Sequence, residues 1–104
     1  MIKGIISYDI SIDRYRNKLS RILSNFCTRI QYSVYQFELD EKIYKDMLKK
    51  IEAFYRNYLR YAYTSANIDD ITRSIYIFLL CEGCFNRKIV FDKRVKNSNR
   101  EMII

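Results

Sequence analysis

The sequence predicts one α+β domain built as strand, helix, strand or strand pair, helix, strand, and three observations carry that reading. A β-branched run, Ile5-Ile6-Ser7-Tyr8-Asp9-Ile10-Ser11, lies near the N-terminus and stops on a carboxylate. Two stretches of helical periodicity follow, each preceded by a residue able to cap a helix. Residues 75–80 are then apolar on both phases, as in a strand covered on both faces. This order is βαββαβ, the ferredoxin-like arrangement, which hosts many functions and so identifies none.

The first strand places Asp9 at its C-terminal end, the edge where side chains leave the packed layers and ligands commonly bind. Ser11 is the expected cap of the first helix, with Asp13 in the first turn, where the helix dipole favours a negative charge. Ile12, Tyr15, Leu19, Ile22, Leu23 and Phe26 form one apolar stripe, with Arg14, Lys18 and Arg21 on the polar side. Arg16 sits near the helix start, about one turn from Asp9.

Residues 29–39 have period two, with Ile30, Tyr32 and Val34 on one phase and Tyr35, Phe37 and Leu39 on the other. A slip between Val34 and Tyr35 predicts a bulge or a break there. No Gly or Asn marks a hairpin turn in this stretch. Asp40 caps a second helix whose apolar positions, Tyr44, Met47, Leu48, Ile51, Phe54, Tyr55 and Tyr58, keep period to about Arg60. Asp69 and Asp70 follow in a polar patch where a solvated pair is the simpler reading than a metal site. Two helices cover only one face of the sheet, and a second copy of the chain is the simplest cover for the other. Ile89-Val90-Phe91 reads as a last short strand, so the domain spans residues 1–92, and residues 93–104 form a basic tail suited to docking.

Composition narrows the chemistry. Nineteen Lys and Arg against twelve Asp and Glu give a net charge of +7, a surface that attracts polyanions, of which nucleic acid is the commonest. The ten tyrosines and six phenylalanines could stack on bases, although aromatic residues at core spacing usually fill cores. With no histidine, hydrolysis would have to lean on carboxylates and a metal ion. Cys27, Cys81 and Cys84 suit free thiols in a reducing compartment. Cys81-Glu82-Gly83-Cys84 has the spacing of half a zinc site, but three cysteines and no histidine cannot supply four N or S ligands, so a plain strand-end turn is expected ahead of redox chemistry or zinc. No apolar run approaches the roughly 18 residues of a membrane span, and Ser7 and Asp9 interrupt the first apolar stretch, so a cytoplasmic protein is expected.

Taken in order, Tyr8-Asp9-Ile10-Ser11, Arg16 and Lys18 on the first helix, Arg29-Ile30-Gln31-Tyr32-Ser33-Val34-Tyr35 and a strand ending near Cys81 resemble the Cas-two family of CRISPR-associated adaptation proteins. The likeness runs from Ile2 to about Asp92, and its most specific parts are the first strand and Gln31-Tyr32-Ser33-Val34.

The resemblance implies a homodimer joined through the sheet faces, with each last short strand adding to the sheet of its mate. It implies Asp9 as the ligand, one from each copy, of a shared Mg²⁺ or Mn²⁺ ion, with Tyr8 beside it shaping the catalytic site. Arg14, Arg16, Lys18 and Arg29 would contact nucleic acid, Tyr35 would stand near the dimer cleft, and Ser33 would touch substrate. Lys18 stands where some members have arginine, keeping the charge without the bidentate fork. Two roles are associated with such proteins: a dimeric bridge between integrase (Cas-one) subunits that carries double-stranded DNA, and a metal-dependent endonuclease on DNA or single-stranded RNA. The alternative enzyme reading is a toxin-like endoribonuclease resembling virulence-associated protein D, which shares the fold and an early aspartate.

Overall fold

The computed structural model, which describes residues 1–65, 68–87 and 89, has the elements β1 (Ile2–Ile10), α1 (Asp13–Ser24), β2 (Thr28–Gln31), β3 (Val34–Leu39), α2 (Glu41–Thr64), a 3₁₀ turn at Ile68–Asp70, β4 (Arg73–Leu80) and α3 (Glu82–Asn86). The four strands form an antiparallel sheet of order β2-β3-β1-β4, so the expected α+β topology is present. Positions 90 and 91 of the expected last strand, and the basic tail, lie outside the described residues.

Alternation along β1 divides the molecule. Ile6, Tyr8 and Ile10 are buried and join Tyr35 and Phe37 of β3, Leu19 and Leu23 of α1, and Met47, Ile51, Phe54, Tyr58 and Ala62 of α2 in the core. Each of the larger apolar side chains contributes about 1.5–3 kcal/mol by leaving water. Lys3, Ile5, Ser7 and Asp9 take the opposite face.

Among the described residues that opposite face is largely uncovered. Its β4 residues Tyr76 and Phe78 are stacked with ring centroids 6.0 Å apart and remain 59% and 52% exposed. Among the described residues, the apolar phases of β4 therefore do not find cover on both sides. Only at the far end from Asp9 does α3 lie close, where Lys3 pairs with Glu38 at 3.3 Å and Glu82 at 3.2 Å and lies 5.5 Å from the Phe85 ring centroid. The segment read as a plain strand-end turn at Cys81 is thus the start of a short helix.

Three local expectations change for identifiable reasons. Ser11 does not cap α1, because its Oγ accepts from the Thr72 amide at 3.0 Å and Ile12 takes the cap position without a side-chain bond. Asp40 does cap α2, accepting from the Ile43 amide at 2.8 Å, and α2 runs on to Thr64, past Arg60, because Ala62 adds a further buried position. The predicted break falls at Tyr32-Ser33, making two strands with an irregular register between Arg29 and Gln31. Side-chain bonds replace the missing turn residues here: Arg29 donates to the carbonyls of Gln31 at 3.3 Å and Tyr32 at 2.9 Å. No residue in the described chain has a positive φ.

Candidate active site at the end of the first strand

The C-terminal end of β1 brings together the start of α1, the β2–β3 turn and the entry to β4. Asp9 pairs in register with Ser74 and is exposed on the uncovered face. Its Oδ1 accepts a hydrogen bond from Thr72 Oγ1 at 2.9 Å. Thr72 is itself fixed three further ways: Ser11 Oγ accepts from its amide, and its carbonyl accepts from the Ser11 amide at 3.4 Å and from the Tyr58 hydroxyl at 2.7 Å. A buried tyrosine of the core thus steadies the carboxylate through one intermediary.

The arginines divide between two surfaces. Arg16 donates from Nη1 to the Ile10 carbonyl at 3.1 Å and pairs through Nη2 with Asp13, which fixes it beside the strand end. Its guanidinium carbon and that of Arg29 lie 5.7 Å and 5.3 Å from the centre of the exposed Tyr32 ring, within cation–π range. The Ser33 carbonyl, in the same turn, accepts from the Tyr8 amide at 3.1 Å, so this turn is tied to β1 one residue before Asp9. Arg14 instead lies 4.9 Å from the Tyr15 and Tyr61 ring centres. Lys18, Arg60, Tyr15 and Tyr61 line an open groove of about 430 Å³ between α1 and α2.

The two tyrosines expected at the site lie beneath it. Tyr8 points into the core, opposite to Asp9, and stacks on Tyr35 with centroids 6.2 Å apart. Burial, followed by the neighbouring Tyr35 hydroxyl, pushes the Tyr8 phenol above its ordinary range. Tyr35 is buried too, its hydroxyl 2.6 Å from Ser20 Oγ. Neither shares a face with Asp9, because alternation in a strand sends successive side chains to opposite sides.

Sequence reading missed Thr72 and Tyr32. Nothing in the residue pattern marks Thr72, whose importance comes from the β1–β4 register, whereas Tyr32 stood in the quoted Gln31-Tyr32-Ser33-Val34 segment. Among the described residues no group of three His, Cys, Asp or Glu side chains could hold a metal ion, so these residues supply only part of a donor set here. No described helix is long and apolar enough to cross a membrane.

Fold and site together define a small ferredoxin-like domain whose described residues leave an apolar sheet face exposed, ending in a carboxylate beside arginines. The family model for CRISPR associated protein Cas2 matches residues 1–88, and the chain belongs to that family. A relative from Methanospirillum hungatei, named CRISPR-associated endoribonuclease Cas2 2, is 32% identical over 84 residues, covering 81% of this chain and 79% of its own. A Synechocystis protein named CRISPR-associated endoribonuclease Cas2 2 is 39% identical over 46 residues, 44% of this chain and 50% of its own.

Two solved structures are also similar. A chain of a structure titled partial Cas6-RT-Cas1–Cas2 complex matches with a TM-score of 0.60 and 25% identity over 85% of this chain and 82% of that one. The Thermus thermophilus hypothetical protein TT1823 matches in fold, with a TM-score of 0.56 and 21% identity over 77% of this chain and 82% of that one.

Proposed function

We propose that the chain acts as a cytoplasmic homodimer in CRISPR spacer acquisition, bridging integrase (Cas1) subunits and carrying duplex DNA, and that paired Asp9 residues make it a metal-dependent endonuclease. Family membership favours this over the toxin-like alternative. The relatives' endoribonuclease names support the cleavage activity, and the Cas1–Cas2 title of the similar complex supports the integrase partner.

The observation that carries the reading is that Asp9 stands exposed on the same sheet face as Tyr76 and Phe78, a face the described residues leave largely uncovered. Leaving such apolar surface in water costs about 25 cal/mol per Å², and a second copy is the simplest cover. A two-fold axis near the strand ends would bring two Asp9 carboxylates to one ion. Mg²⁺ and Mn²⁺ suit that donor set, since Mg²⁺ is commonly held by one or two carboxylates and keeps several waters. When bound, the ion would polarise a phosphodiester and activate water without a histidine.

The chain's own residues do the rest. Thr72 orients Asp9; Arg16 and Arg29 present positive charge beside the strand end, where a phosphate would lie; the Ser33 turn borders the same place. Tyr8 and Tyr35 act from below by fixing how β1 packs on β3. Arg14 and Lys18 follow the backbone of a duplex without reading bases.

The test combines mass measurement in solution with cleavage of RNA and DNA in Mg²⁺ or Mn²⁺. The parent is expected to be a dimer that cleaves, D9A a dimer that does not, and Y76E/F78E a folded monomer without activity. A monomeric parent removes the dimeric reading, and cleavage that survives D9A removes Asp9 from the chemistry.

A further inference from the structure

Cys81 and Cys84 are reactive side chains that the proposed function leaves unused. They stand three residues apart where β4 gives way to α3, and both are exposed. The Cys84 amide donates to Cys81 Sγ at 3.3 Å, which draws the two residues together. That backbone bond, with a further bond from the Cys84 thiol, favours negative charge on Cys81 and holds its thiol below the ordinary range. Cys84, whose thiol donates toward that sulfur, is raised. The pair therefore divides into a thiolate-prone sulfur, the form that attacks a disulfide, and a neighbouring thiol.

Two features set this pair apart from an ordinary turn. A side chain added at Gly83, between the cysteines, would meet nothing within 4 Å, so nothing crowds the pair from that side. Cys27 supplies the contrast: it is half-buried, its Sγ lies 3.6 Å from Met47 Sδ, and burial pushes its thiol up to about 11.

We propose that Cys81 and Cys84 form a reversible dithiol–disulfide pair, with Cys81 as nucleophile and Cys84 as resolving thiol, that exchanges with small-molecule disulfides such as oxidised glutathione. The Cys81 thiolate attacks one sulfur of the small disulfide, forming a mixed disulfide and releasing one small thiolate, which takes up a proton. Cys84 then loses its proton and attacks the Cys81 sulfur, breaking the mixed bond and releasing the second small thiol. The protein dithiol is oxidised and one small disulfide is reduced to two thiols. The new bond ties the end of β4 to the third residue of α3, the helix that carries Glu82 to Lys3 and Phe85 to the sheet.

The experiment treats the full-length protein, and its C27S, C81S and C84S variants, with oxidised glutathione near neutral pH and follows intact mass and free thiols. The parent and C27S are expected to lose two hydrogens, keep their solution mass and recover both thiols with dithiothreitol. C84S is expected to trap one glutathionyl group at Cys81, and C81S to react at least several-fold more slowly. The proposal is overturned if the parent keeps all its thiols or links into disulfide-bonded multimers. It is equally overturned if C27S fails to close the bond, or if C81S and C84S react at equal rates. None of these readouts depends on DNA, metal or cleavage.

Discussion

The Thr72 hydroxyl donates to the Asp9 carboxylate at 2.9 Å across the β1–β4 edge, linking residues 63 positions apart in the chain. Thr72 is held in turn by Ser11 and by Tyr58 from the core. The orientation of the exposed acid is therefore set by the fold beneath it, and the first prediction follows.

T72V keeps the side-chain shape and removes the donor. Cleavage is expected to fall roughly 5- to 10-fold through lost orientation of Asp9, about 1–1.4 kcal/mol, the net scale of one solvent-exposed hydrogen bond. Dimerisation and duplex binding should stay at parental levels. Initial rates at saturating metal check this, and a parental rate would show that the bond does not orient the acid.

Lys18 lines the groove between α1 and α2, and Arg14 lies over the Tyr15 and Tyr61 rings that border it. If they neutralise phosphates, R14A and K18A should each weaken duplex binding equally across unrelated sequences. Each should also reduce the slope of log affinity against log salt by about 0.9 per lost contact. Fluorescence anisotropy at several salt concentrations measures the slope; one unchanged in both variants would place the duplex elsewhere.

Gly4 is required by close approach. A Cβ there would meet the Phe78 carbonyl oxygen and come within 2.6 Å of the Phe37 ring, and a backbone oxygen in the β1–β4 ladder has little freedom to move. G4A should destabilise the domain by about 2–3 kcal/mol, lowering the melting temperature by about 10 °C or more. A thermal melt of the variant against the parent decides it.

Cys27 gives stability a pH dependence. Burial holds its thiol protonated up to about 11 in the folded state, against an ordinary value of 9.0. Between those values the unfolded chain has released the proton and the folded chain has not, so stability is complete below about pH 9 and falls as pH rises toward 11. Urea unfolding at pH 8 and pH 10.5 should show the parent losing about 1 kcal/mol more than C27V, after allowing for the part of the side chain still reached by water. Equal losses would mean that Cys27 does not titrate differently on folding.

Much of the architecture was legible because periodicity is local. The stripe containing Leu19 and Leu23, and that containing Met47, Ile51, Phe54 and Tyr58, mark two helices whose apolar faces become the core. Asp40 was legible as a cap because its bond reaches only three residues along the chain. Ser11 had the same credentials and does something else, since Thr72, 61 residues away, claims its oxygen. The hairpin at Tyr32-Ser33 lacked turn residues and was recoverable only once Arg29 had folded back onto the turn carbonyls. Tyr8 is a different lesson: adjacency to Asp9 suggested a shared site, yet the two-residue repeat of the strand sends it to the core.

The first strand, the two long helices and β4 in their order, the net positive charge and an acid at the end of the first strand were determined by the sequence alone, through hydrophobic spacing and composition that need no distant partner. Tertiary structure alone decided which groups surround that acid: Thr72 across the sheet, Arg16 on the strand end, and Arg29 with Tyr32 in the neighbouring turn. Strand register and side-chain reach join residues far apart in the chain, and no local pattern encodes those distances.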